Sequence, residues 1–346
     1  MNNFITLNEK LLSFDDHPIG LAYGKMGICI YYFYLSRWEE KEEYKQTADK
    51  LLDDVISNIQ NTKDLSFEHG LTGIAIGLIH LVNEKFVGGD LNEILDDIDS
   101  YIFKSVAFLN LTDNYFPKST LIHLIYYFYL RHNELQSTDS KYLYQELIIK
   151  MIEMFQHNLK ADFYNEQSSD SIHNYHPPVF LYAISKIYEL DIYNPRISKI
   201  MEEFFDKILA TMPLLHTNRL YLLFGLLSIS PYEKFCPTYK EKIASHIRLL
   251  RENIDIEHIM IVENKNQDIY IKDGLSFAYI LLVTIQKSYP EYAIDFNPQS
   301  LYDRIMNSEA WNALTEREYY LYLRKGLYDG YPGVNLVLYH IKRYFL

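Results

Sequence analysis

Imidazoles and carboxylates recur at one place in a repeated pattern of this chain. Tyr23, His69, Phe116, His173, His216, Asp273 and Asp329 each stand immediately before one of seven aligned positions: Gly24, Gly70, Pro117, Asn174, Thr217, Gly274 and Gly330. These positions are spaced 46, 47, 57, 43, 57 and 56 residues apart. An imidazole of near-neutral pKa can take and return a proton. Brought to a common cavity, His69, His173, His216 and Asp273 could do acid/base work, or hold zinc, iron or manganese through nitrogen and oxygen. Asp273 and Asp329 together offer the carboxyl pair of a glycosidase, which needs a separation of roughly 5–5.5 Å or 6.5–9.5 Å. The structural alternative is that the aspartates cap helices and the histidines cap helices or line a cavity without reacting.

The elements that must position these residues follow from glycine placement. Ten of only thirteen glycines fall in four short stretches, GLAYGKMGI, EHGLTGIAIG, KDGLSF and GLYDGYPGV, and each stretch opens an apolar run. Glycines three apart at the head of an apolar segment indicate a helix N-terminus that another backbone approaches closely. A phosphate-cradling loop is the weaker reading, since neither GxGxxG nor GxxxxGK[ST] occurs and no convincing strand precedes any of the four stretches. Three glycine-poor segments, NYFPKSTLIHLIYYFYL, IHNYHPPVFLYAISKIYEL and LLHTNRLYLLFGLLSIS, fill the gaps in the period. Between the apolar segments lie one-sided ones such as KYLYQELIIKMIEMF, with Leu143, Leu147, Met151 and Met154 on one face.

Helices apolar on every side have to be surrounded, so the expected fold is all-α: an (α/α) toroid or barrel of about seven inner and seven outer helices. No Pro/Gly/Ser-rich linker interrupts it, which makes residues 1–346 a single expected domain. The alternating stretch IEHIMIVENKNQDIYIK is expected to form a short hairpin before the sixth inner helix. The apolar segments are short, carry Lys25, Lys186 or Arg219, and alternate with charged segments, which argues against a membrane bundle. A net charge of −13 argues against nucleic acid and favours a basic partner. Cys29 and Cys236 are too few for a disulfide framework, and the N-terminus lacks a basic region followed by a long apolar run, so a cytoplasmic protein is expected.

The openings GLAYGKMGICIYYF, EHGLTGIAIGLIHL and GLYDGYPGVNLVLY resemble those of the lanthionine synthetase C-like proteins, the lanthipeptide cyclases and their relatives. The first, second and seventh openings carry the resemblance, and the seven together span nearly the whole chain. It implies a seven-fold double layer of helices and action on a ribosomally made precursor peptide, alone or with a partner modifying enzyme. Cyclases of that family hold zinc through two cysteines and a histidine, because a thiol near pKa 8.5 needs the metal to become thiolate at neutral pH.

The positions of those ligands read Leu215, Lys272 and Asp273 here, so no cofactor is expected. The family's acid/base histidine matches His173, and its aspartate upstream of the third opening corresponds to Asp113. His173 and Asp113 are therefore the expected catalytic pair, with Tyr23, His69, His216, Arg219, Asp273 and Asp329 lining the cavity. Three functions remain open: non-classical peptide modification, a catalytically silent peptide-binding or enzyme-binding scaffold, and a carbohydrate-active toroid enzyme.

Overall fold

The computed structural model describes residues 2–13, 17–111, 116–164, 175–231, 237–265 and 268–346, and among them there is no β-strand. The apolar segments form α2 (Lys25–Glu39), α4 (Leu71–Asn83), α6 (Lys118–Glu134), α8 (Pro177–Glu189), α10 (His216–Ile229), α13 (Leu275–Ser288) and α17 (Tyr331–Tyr344). The one-sided segments form α3 (Glu42–Asn58), α5 (Leu91–Val106), α7 (Thr138–His157), α9 (Asn194–Ile208) and α11 (Lys240–Glu252). Five shorter helices complete the series: α1 (Asn2–Leu12), α12 (Ile256–His258), α14 (Pro298–Met306), α15 (Glu309–Glu316) and α16 (Glu318–Leu323). The expected all-α alternation is what the chain forms. No helix among the described residues is long and apolar enough to cross a membrane.

Contacts divide the chain into two compact units. The first comprises residues 1–102, 264–280 and 296–346, and the second residues 103–263 and 281–295. In the first, α2 packs against α3, α4 and α17, so the first and last apolar helices are neighbours. Their contact is polar at its centre: the Asn335 side-chain amide donates to Tyr31 Oη at 2.6 Å, and the Tyr31 and Tyr331 rings meet edge to face. In the second unit, α6 packs on α7 and α8, α8 on α10, and α10 on α11. Phe155 and Phe180 stack at 4.3 Å in its core, with Phe204 against Phe180.

Two expectations need correction. The first half of the stretch expected as a hairpin is helical instead, and its described residues form no strand: Asp255 Oδ1 accepts from the His258 N–H at 3.0 Å, starting α12, which continues as a π-turn over Ile259–Glu263. That winding delivers Glu263 to the start of α10, a contact a hairpin would not make. The register at the fifth opening also shifts, because α10 begins at His216 itself. His216 is therefore the first residue of the helix rather than the last one before it.

Candidate functional site at the helix openings

In the first unit, four apolar helices begin in the same way. The first N–H of the helix donates to the carbonyl seven residues upstream: Lys25 to Pro18 at 2.7 Å, Leu71 to Asp64 at 2.8 Å, Leu275 to Asp268 at 3.0 Å and Tyr331 to Arg324 at 2.9 Å. This satisfies one donor that a helix end leaves open, without a side-chain cap. It also requires glycine at the N-cap, since a Cβ on Gly70 would lie 2.3 Å from the Asp64 carbonyl oxygen, and one on Gly330 2.3 Å from that of Arg324. The openings are then tied to one another. Ala22 N–H donates to Glu68 O at 3.0 Å, Tyr328 N–H to Ala22 O at 2.9 Å, and Lys272 N–H to Tyr328 O at 2.8 Å.

That ladder links the openings that carry Tyr23, His69, Asp273 and Asp329. The Tyr23 and His69 rings stack at 4.8 Å, and Tyr328 meets Tyr23 edge to face. Lys272 Nζ lies 5.8 Å above the Tyr23 ring. Burial raises the Tyr23 phenol above its ordinary range, and the charges of Asp329, Glu68 and Asp273 raise it further. Burial likewise pushes Tyr328 up to about 12, with Glu68 and Asp273 contributing. Asp329 is held above the usual carboxylate range by burial, while Arg324, 3.5 Å from its Oδ2, pulls the other way. Asp268 is raised by burial and by Asp273 beside it. The result is an aromatic surface with a surplus of carboxylates, all of it within one unit.

His216 and Arg219 lie in the second unit, in a different constellation. His216, His258 and Glu263 bring one ligand atom each within 4.8 Å of one another, a donor set of zinc type. The hydrogen bonds argue for another role. Glu263 accepts from the backbone N–H of His216, and from the N–H and hydroxyl of Thr217, both at 2.9 Å, so it caps α10 from a distant segment. The Asp255 N–H donates to His216 Nδ1 at 2.9 Å, which places the ring proton of the neutral imidazole on Nε2 and leaves neither nitrogen free for a cation. Arg219 contacts the same ring at 3.4 Å, and burial together with Arg219 holds the His216 pKa below its ordinary value. A guanidinium at a helix N-terminus is a poor neighbour for a metal ion. Arg219 is itself tied to the Pro213 and Asn253 carbonyls. Sequence reasoning missed His258 and Glu263, because no spacing rule links them to the aligned positions.

The family's zinc does not fit the residues that stand at its ligand positions. Leu215 offers no donor, Lys272 brings a positive charge, and Asp273 supplies a carboxylate where the family has a thiolate or imidazole. Cys29 is buried with its thiol on the Ala48 carbonyl at 3.3 Å, and burial raises its pKa far above the thiol range. His173, Asp113 and Cys236 lie outside the described residues. His176, also unremarked from sequence, is the residue from which α8 starts, with its ring stacked on Phe163.

Among curated proteins there is no match to the chain. Residues 15–168 match the family model described as lanthionine synthetase C-like protein. That span contains the openings at Gly24 and Gly70, whose glycines are fixed by the close carbonyl contacts above. Over these residues, somewhat under half of the chain, the protein is similar to the lanthionine synthetase C-like family.

Proposed function

We propose that the chain binds a ribosomally made precursor peptide at the Tyr23, His69, Asp273 and Asp329 cluster, and takes part in its modification without zinc-thiolate cyclisation. The observation that carries the reading is the aromatic cluster of Tyr23, His69 and Tyr328, held together by the backbone ladder that also brings in the openings bearing Glu68, Asp273 and Asp329. Carboxylates around an aromatic surface suit a peptide segment with lysine or arginine, through charge-assisted hydrogen bonds and cation–π contact. Lys272 already presents a cation to that face of Tyr23. The net charge of −13 adds long-range attraction for the same kind of segment.

Where the peptide is modified, the family resemblance gives the proton transfers to His173, with Asp113 orienting it. A substrate thiol would then be activated by a base rather than by a metal, which is why the identity of Leu215 and Lys272 matters. His173→Ala should leave peptide binding intact and abolish any modification; unchanged turnover removes the assignment. The binding itself is tested by fluorescence anisotropy, with labelled peptides of one length and matched composition, one rich in lysine and tyrosine, one in glutamate and tyrosine. The basic peptide should bind saturably and the acidic one should not. Equal binding of the two would defeat the reading.

A further inference from the structure

The last turns of α2 and α17 enclose a cavity of about 610 Å³, together with Tyr44 of α3 and Tyr302 of α14. The first unit holds all of these residues. The volume falls in the range of small-molecule sites, roughly 300–1,000 Å³. Its walls are aromatic: Trp38 and Tyr339 lie ring on ring at 5.7 Å with 18° between planes. Apart from Asn335, in the second turn of α17, its α2 and α17 lining lies toward the C-terminal ends of the two helices, away from the openings.

Two further features bear on what the cavity takes. Asn335, 1% exposed, lines it. Tyr31 donates its hydroxyl proton to Asn8 Oδ1 at 2.7 Å and so must accept from the Asn335 amide nitrogen at 2.6 Å. This network fixes the amide orientation and turns Asn335 Oδ1 into the protein, with less than 1 Å² of accessible surface, so Asn335 offers a ligand in the cavity no acceptor. The rim is cationic. Glu39 is spent between Lys41, at 2.6 Å, and the Tyr339 hydroxyl, whereas Lys342 and Arg343 are exposed and form no ion pair among the described residues. Cations are favoured at any helix C-terminus, but that preference does not account for the stacked walls.

We infer that this cavity is a second binding site, separate from the helix openings, for a small anion that carries a planar ring. The ring lies along Trp38 and Tyr339, and the carboxylate or phosphate sits between Lys342 and Arg343. A nucleoside monophosphate and a phenolic carboxylic acid share this chemistry.

Isothermal titration of the intact chain with AMP, GMP, 4-hydroxyphenylacetate and inorganic phosphate tests the site. At least one ring-bearing probe should bind saturably with Kd below about 1 mM, and phosphate alone should not. AMP or GMP binding identifies a nucleotide site, and 4-hydroxyphenylacetate binding a carboxylate site. The Lys342→Glu/Arg343→Glu variant, altered only at exposed side chains, should lose at least about tenfold in affinity, and Trp38→Ala a comparable factor. Absence of saturable binding by every ring-bearing probe, phosphate binding as tightly as they do, or full affinity in the charge-reversed variant would each overturn the proposal.

Discussion

Tyr23 and His69 stand 46 positions apart in the chain and stack at 4.8 Å with 27° between their rings. Each precedes the N-cap glycine of an apolar helix, and the Ala22 N–H to Glu68 carbonyl hydrogen bond holds the two openings side by side. The stack is thus a consequence of the repeat, and the glycines are what allow the loops to come so close.

Gly70→Ala is the sharpest test of that dependence. Its Cβ would lie 2.3 Å from a backbone carbonyl oxygen, whereas a Cβ on Gly88 meets nothing within 4 Å. Gly70→Ala should cost about 1–3 kcal/mol of stability, and Gly88→Ala should stay within a few tenths. Urea unfolding of the two variants separates them, and equal midpoints would refute the close-approach explanation.

Glu263 acts as a cap delivered from a distant segment. Glu263→Ala removes the acceptor for two N–H groups and a hydroxyl at the start of α10 and should cost about 1–3 kcal/mol. His258→Ala should be close to neutral. Added zinc should leave the melting temperature unchanged, and a zinc-dependent rise that His258→Ala abolishes would show a metal centre instead.

Stability should fall on mild acidification. Burial holds the imidazoles of His80, His132, His216 and His246 below their ordinary value. Between that lowered value and about pH 6.5 the unfolded chain binds more protons than the folded one, so acidification through this window favours unfolding. Asp268 and Asp329, raised by burial, oppose the trend at its acid end, because the folded state protonates them first. The urea midpoint should be lower at about pH 5.5 than at about pH 7.5. A midpoint that rises on acidification would mean the carboxylates outweigh the histidines.

Much of this fold is legible in the sequence because glycine is scarce. Where Gly24, Gly70, Gly274 and Gly330 mark the openings, each helix begins at the next residue. Where glycine is missing the register drifts: α10 starts at His216 and α8 only at Pro177. Glu263 was invisible because a carboxylate that caps another segment's helix leaves no periodic trace. Alternation of apolar residues in IEHIMIVENKNQDIYIK suggested strands, and the Asp255 cap overrode it. The Trp38 and Tyr339 stack joins the two ends of the chain, 301 positions apart, and no local pattern predicts such a pair.

Thiol consumption separates this chain from the cyclases it resembles. A peptide bearing dehydroalanine and a downstream cysteine, incubated with the protein, should lose free thiol no faster with added zinc than without it, because Leu215 and Lys272 cannot hold the metal. Acceleration that a chelator reverses would place a zinc site in the chain after all.

The central claim is that the carboxylates around Tyr23 bind a basic peptide, and the most direct measurement is anisotropy titration of the lysine- and tyrosine-rich peptide with wild type, Tyr23→Ala and Asp273→Asn/Asp329→Asn. The account predicts saturable binding to wild type, with a loss of about tenfold or more in each variant, since a charge-assisted hydrogen bond contributes about 1.5–3 kcal/mol. Unchanged affinity in both variants would contradict it and move the peptide elsewhere on the molecule.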